Sequence, residues 1–259
     1  MGIRPMKPQF GENVLLLGDG IDAFDQTLVR WETTGYTTTR LTPGVVSATY
    51  STGEQLRDDF WCIWVGEGFD SPPNIVNPEV MAMMQPGGII DEFVKMGGIF
   101  VVHGAHNSSI NSTAPGGFQF VGYASGQANL DNNPQIVDTN HEYITGEGYG
   151  GVQLNNTDFA NWDSTVHGII EIPPVGFTSS GGINLGTNPM TGKYNTILSS
   201  PDNGNKTALM EYCYGLGYCF IDMMTFDWGD RGTSLFNGSQ DVLLQSIQYI
   251  VFIRNNFNI

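Results

Sequence analysis

Unbroken apolar runs that end in tight turns are the feature that most limits how this chain can fold. Two runs, residues 13–17 (NVLLL) and 59–65 (DFWCIWV), end at Gly-Asp-Gly and Gly-Glu-Gly, and a third, residues 99–102 (IFVV), ends at His-Gly-Ala-His. Between them, apolar residues recur at helical spacing, as in residues 24–31. Strands and helices that alternate in this way predict a parallel sheet with helices on both faces. We therefore predict an α/β fold with three layers and a mainly parallel sheet.

The composition of the sequence changes between about residues 116 and 201, where glycine and asparagine are frequent and the predicted apolar strands are short. Because this stretch has few apolar residues with which to build a core of its own, we predict a loop- and β-rich elaboration of a single domain that spans residues 1–259. After it, residues 207–228 predict a hairpin that returns to the sheet, and Ser239 can cap a last helix.

The composition indicates a weakly charged, acidic surface. Charged residues make up 14% of the 259 residues, and 26 acidic against 10 basic side chains give a net charge of −16. This balance argues against nucleic acid or an anionic membrane as a partner, and no apolar run is long enough for a membrane span. A surface rich in Gly, Asn, Ser and Thr favours an extracellular or cell-surface location, whereas Met1, taken as the native start, favours the cytoplasm.

Five N-x-S/T triplets are weak indications of a glycoprotein. They begin at Asn107, Asn111, Asn155, Asn205 and Asn237.

Two of the three cysteines flank a predicted turn. Cys213 and Cys219 enclose YGLGY, and pairing Tyr214 with Tyr218 would set the two cysteines opposite each other, at a separation that suits a disulfide. The alternative is that both are small buried hydrophobic residues, the role that we predict for Cys62.

Polar side chains that follow the predicted strands form a candidate site. In open α/β sheets, ligands bind at the carboxyl ends of the strands, and the residues expected there are Asp19, Glu67, His103, His106 and Asp227. Two histidines with carboxylates could act as general acid and base on a bound sugar, or could hold a divalent metal such as Zn²⁺ or Ca²⁺ through His103 and His106. His141 is a further ligand-binding candidate that could fold over the strand ends. The structural alternative is that His103 bonds within its turn and His106 is solvated.

Three segments resemble the class I glutamine amidotransferase-like superfamily: the strand with its Gly-Asp-Gly turn, GGIFVVHGAH, and EYCYGLGYCFIDMMTFDW. The nearest branch is the ThuA-like (trehalose utilisation) one, with related domains of exported bacterial and archaeal proteins, whose Gly-Gly strand ends in a histidine and a small residue. NPQIVDTNHEYITG resembles a further histidine-containing segment of that branch. The resemblance implies a flavodoxin-like three-layer sheet.

At the positions of the reactive residues of this superfamily, the sequence has different side chains. Its mechanism needs a cysteine at the turn after that strand, and a histidine with a carboxylate after the last core strand. Here His103 occupies the nucleophile position, and TFDWGD offers Asp227 without a histidine. Glutamine amidotransferase activity is therefore not expected.

Two hypotheses remain. The first is a non-catalytic extracellular or surface domain that serves in binding or self-assembly, as a homo-oligomer or larger assembly; replacing His103 with alanine should then leave folding nearly unchanged. The second is a ThuA-like carbohydrate-processing enzyme with a site formed by His103, His106 and Asp227.

Overall fold

A computed structural model describes most of the chain in nine stretches. These are residues 10–18, 22–66 (22–26 as backbone only), 77–103, 111–122, 133–160, 166, 168–171, 173–224 and 242–257.

One sheet of twelve strands runs through the described residues. Its strands are β1 (Asn13–Leu17), β2 (Thr38–Leu41), β3 (Phe60–Val65), β4 (Ile99–His103), β5 (Asn111–Thr113), β6 (Gln119–Gly122), β7 (Gln135–Ile136), β8 (Gly168–Ile170), β9 (Thr178–Ser179), β10 (Lys193–Ser200), β11 (Lys206–Tyr214) and β12 (Gly217–Asp222). The main path across the sheet is β2-β1-β3-β4-β12-β11-β8-β6-β5, and β10 pairs with β11, β7 and β9.

The sheet has a parallel half and an antiparallel half. Strands β2, β1, β3, β4 and β12 are all parallel to their neighbours. Beyond β12 the pairing becomes antiparallel, and only the short contact between β9 and β10 is parallel there. The α/β class is confirmed, but the mainly parallel, flavodoxin-like sheet is not, since six of the eleven pairings are antiparallel. The physical reason is local: short strands joined by glycine turns form hairpins, which are antiparallel.

Helices cover both faces of the parallel half. The helices are α1 (Asp22–Thr33), α2 (Pro43–Thr49), α3 (Gly53–Asp59), α4 (Pro78–Met84), α5 (Ile89–Lys95), α6 (Glu142–Thr145), α7 (Asn156–Phe159) and α8 (Val242–Phe257). None of the helices within the described residues has the length and apolar character to cross a bilayer. Helices α1, α6, α7 and α8 pack on one apolar cluster and α2 to α5 on another.

Side chains of the strands alternate between these two clusters. Val14 and Leu16 point to the face covered by α8, whereas Leu15 and Leu17 point to the face covered by α5. Because both faces are buried, the sequence of each strand is a continuous apolar run rather than an alternation of apolar and polar residues. A polar residue inside such a run is therefore buried whichever face it points to, and it needs a partner.

The hairpin of β11 and β12 contradicts the expected disulfide. Its turn has only two residues, Gly215 (φ 61°) and Leu216, so that Tyr214 pairs with Gly217 and Cys213 pairs with Tyr218. A glycine with positive φ at the first turn position suits a type II′ turn. This register, one residue away from the expected one, sends Cys213 and Cys219 to opposite faces of the sheet. Both thiols are free and buried.

We expect three free thiols per chain when the protein is purified without reductant and titrated in denaturant. Because no covalent link constrains the unfolded chain, adding dithiothreitol should leave the melting temperature unchanged. A single titratable thiol, together with a fall in melting temperature on reduction, would contradict this register.

Candidate functional site

His103 and Asp222 form a buried pair at the carboxyl ends of two neighbouring strands. His103 is the last residue of β4 and Asp222 the last of β12, and the parallel register sets them side by side. The Nδ1 atom of His103 forms an ion pair with Oδ2 of Asp222, and both side chains are fully buried. On its other side the imidazole packs on Trp64 of β3, with ring centroids 4.4 Å apart and planes at 35°. The pair lies on the sheet face that carries α8.

The carboxylate of Asp222 is held on both oxygens. Oδ1 accepts a hydrogen bond from the backbone N–H of Met224 at 3.0 Å, while Oδ2 faces His103. Burial raises the pKa of Asp222, and the charge and hydrogen bond of His103 oppose that rise. On the same sheet face, the Tyr143 and Ser246 hydroxyl oxygens are 3.0 Å apart.

This arrangement can do one of two things. A carboxylate that orients an imidazole is the arrangement of a general base and its supporting residue. It is also the arrangement of a core ion pair, in which each charge compensates the desolvation of the other. The complete burial of both side chains favours the second role.

A second buried carboxylate lies on the same sheet face. Glu211 of β11 is fully buried and accepts from five donors. Its Oε1 atom faces His141 Nε2 at 3.1 Å, Asn195 Nδ2 at 2.7 Å and the backbone N–H of Leu185 at 3.2 Å. Its Oε2 atom accepts from the hydroxyls of Tyr218 and Tyr249, the latter at 2.8 Å.

These donors keep Glu211 ionised inside the core. Burial alone raises the pKa of this carboxyl, but the charge of His141 and the hydrogen bonds of His141, Tyr218 and Asn195 outweigh it and lower the pKa to about 2. Burial lowers the pKa of His141, but the charge and hydrogen bond of Glu211 outweigh it, and the net shift is upward.

His141 therefore has a structural position rather than one over the ends of the parallel strands. Its Nδ1 atom is 3.2 Å from the backbone nitrogen of Tyr143 and caps α6, while its Nε2 atom faces Glu211. Only 3% of the residue is exposed.

Some of the other expected site residues and sequons lie outside the described residues, and some lie within them. Asp19, Glu67, His106 and Asp227 lie outside the described residues, as do Asn107 and Asn237. The remaining sequon asparagines, Asn111, Asn155 and Asn205, are exposed. Within the described stretches, no group of three or more His, Cys, Asp or Glu side chains could hold a metal ion.

The thiols are not placed as nucleophiles. Cys62, Cys213 and Cys219 are all buried in strand interiors, and burial raises the pKa of each, for Cys213 to about 12. No cysteine occupies the strand end that His103 occupies.

Sequence reasoning missed Asp222 and Glu211, although a signal was present. Each is a single acidic residue inside an apolar strand, in YCFID and TALMEYCY. A lone carboxylate in such a strand must be paired when it is buried, which marks it as a centre of polar contacts.

Comparison with known proteins supports the fold alone. No family model matches the sequence, and no curated protein matches it. Among solved structures, a protein from Thermoplasma acidophilum that is provisionally assigned to GMP synthase superposes with a TM-score of 0.50 at 9% identity, over 95% of this chain and 96% of that one. A cytoplasmic protein from Salmonella typhimurium gives 0.49 at 12% identity, over 91% and 98%. The first likeness is consistent with an amidotransferase-like fold.

We expect His103→Ala to lower the free energy of unfolding by about 3–5 kcal/mol at neutral pH, because it leaves the buried Asp222 carboxylate without its partner. This replaces the expectation from sequence that folding would be nearly unchanged. Urea denaturation measures the loss, and adding Asp222→Asn to the His103→Ala variant should recover part of it. An unchanged stability of His103→Ala would show that the pair contributes nothing.

Acid should destabilise the protein through Glu211. The folded pKa of this carboxyl, about 2, lies below its ordinary value of 4.5, so its contribution is complete above about pH 4.5 and is lost as pH falls towards 2. The contribution is on the order of 3 kcal/mol. Denaturation of wild type and Glu211→Gln across this range should give a stability difference that shrinks as pH falls. A difference independent of pH would contradict the ionised state of Glu211.

Proposed function

We propose that this chain is a non-catalytic extracellular or surface domain that has an amidotransferase-like fold and acts by binding or self-assembly. The observation that carries the proposal is the end of β4, where the superfamily requires a cysteine. An imidazole stands there instead, and it is joined to Asp222 in a fully buried pair. The three thiols are buried elsewhere in the sheet.

We also propose that the nearest relatives of the chain are the ThuA-like domains. The five parallel strands have the order β2-β1-β3-β4-β12, which corresponds to the flavodoxin-like order of doubly wound sheets. His103 ends β4, at the strand end where that branch has its own histidine. The antiparallel half is then an addition to this core.

An exterior location is supported by the chemistry of the surface. The low charge content is unusual for a globular domain. Three of the five sequon asparagines, Asn111, Asn155 and Asn205, are exposed, as an N-linked glycan requires.

The thiol chemistry tests the non-catalytic part of the proposal. An amidotransferase nucleophile is an accessible thiolate, whereas buried thiols with raised pKa values react slowly with alkylating agents. Native protein treated with iodoacetamide at pH 7.5 should be alkylated roughly a hundredfold or more slowly than the same protein in denaturant. One thiol that reacts rapidly in the native protein would contradict the proposal.

Self-assembly has a separate test. Sedimentation velocity across a range of protein concentrations should give species larger than the monomer if copies associate. A monomer at every concentration would remove self-assembly and leave binding of another partner.

One observation favours a second function. An imidazole oriented by a carboxylate could act as a general base, as in a ThuA-like carbohydrate-processing enzyme. In that case nitrophenyl glycosides should be hydrolysed by wild type and not by His103→Gln. Equal rates for the two proteins would remove this alternative.

A further inference from the structure

A surface cavity lies on the antiparallel half of the sheet, away from the His103–Asp222 pair. Its volume is about 240 Å³, and its walls come from β10, β11 and the end of β8. Phe118, Ile170 and Met210 form its buried floor and belong to the apolar cluster of α2 to α5. His103 packs on Trp64, which belongs to the cluster on the other face. The cavity is therefore separate from the candidate site.

The wall of the cavity combines a half-buried aromatic ring with neutral hydroxyl groups. Tyr194 lines it beside Phe118, with ring centroids 6.2 Å apart. Within the described part of the chain, the Tyr194 hydroxyl makes no hydrogen bond, so it can donate to a ligand and accept from one. The Thr196 and Thr207 hydroxyls are hydrogen-bonded to each other at 3.0 Å, which leaves the pair one donor and further acceptor positions for a ligand.

The rim carries one donor group and one acceptor group. Lys206 Nζ and Glu171 Oε1 are 3.1 Å apart, and their side chains are 50% and 39% exposed. A surface pair of this kind is weak, so its polar atoms can be shared with a ligand at small cost. The two charges cancel, so the rim does not select for a charged ligand.

We propose that this cavity binds a single neutral sugar residue. A sugar ring has an apolar C–H face for the Tyr194 ring, and hydroxyls that both donate and accept for Thr196, Thr207, Glu171 and Lys206. The volume lies below the range of about 300–1,000 Å³ that drug-sized ligands occupy, which suits one ring. The net charge of −16 opposes anionic sugars. The inference rests on the proposed binding function but uses a different site from His103.

Methyl NMR of the protein labelled with ¹³C-methyl methionine tests this site, because Met210 is in its floor. The protein is made in a host without N-glycosylation, so that Asn205 at the cavity carries no glycan. Glucose, galactose, mannose and N-acetylglucosamine are titrated separately, with glucuronate as the anionic comparison. At least one neutral sugar should shift the Met210 methyl signal, assigned with Met210→Leu, and saturate it with a dissociation constant on the order of 1 mM.

Variants of wall and rim residues test whether the Met210 shift reports binding in the cavity. Tyr194→Ala and Glu171→Gln should each weaken binding about tenfold or more, as expected for loss of a ring contact or of a charged hydrogen bond. Glu54→Gln is the matched control, since Glu54 is also an exposed partner in a surface ion pair, with Arg57, and lies outside the cavity. It should bind as wild type does. If Tyr194→Ala fails to fold, Glu171→Gln and Lys206→Met are compared with Glu54→Gln instead.

The inference is overturned if no neutral sugar gives a saturable shift, if glucuronate binds better than every neutral sugar, or if the cavity variants bind as Glu54→Gln does. Such a result would leave the proposed function standing, provided that the native thiols are unreactive. A rapidly alkylated thiol would instead overturn the proposed function, whatever the NMR titrations show.

Discussion

The arrangement of this fold depends on the contacts that the ionised carboxylate of Glu211 makes in the core. A charge in the interior is tolerated only when donors replace the water that it has lost. Here the donors come from separate parts of the chain: His141 at the start of α6, Leu185 in a loop, Asn195 on β10, Tyr218 on β12 and Tyr249 on α8. A shift of any of these elements would leave the charge less compensated. Glu211 therefore joins the antiparallel half of the sheet to α6 and α8 more specifically than apolar packing does.

The His103–Asp222 pair is a second case of a buried carboxylate with a partner inside the protein, here in the parallel half of the sheet. β12 lies between β4 and β11, so the two buried carboxylates belong to neighbouring strands of the sheet and face the same helical layer. The strand end at which the superfamily places its reactive group is here part of the core. This burial supports the proposed non-catalytic role, because a side chain that is enclosed and paired within the protein has little capacity left for a substrate.

The sequence predicted those features that depend on apolar periodicity. The strands at residues 13–17, 59–65 and 99–102, and the long last helix, follow from runs and helical spacing. The position of His103 at a strand end was predictable for the same reason. Helices α2 and α3 have only seven residues each, too few for a clear period, although Thr42 and Thr52 cap them through their side chains.

Features set by pairing register were not predictable. One residue of difference in the turn at Gly215 decided whether Cys213 and Cys219 could face each other, and composition does not distinguish a two-residue turn from a three-residue one. The sequence grouped His103 with His106 and Asp227, both of which lie outside the described residues, and gave no indication of Asp222. The structure pairs His103 with Asp222, the last residue of β12. The five donors of Glu211 come from residues 141 to 249, and no local pattern links positions so far apart in sequence.

Ammonia release from glutamine by the purified wild-type protein tests the central claim most directly. An imidazole buried against a carboxylate cannot supply the thiolate that attacks the amide, so we expect no release above that of buffer, at any protein concentration. Sustained release that stops when Cys62, Cys213 or Cys219 is replaced by serine would contradict it.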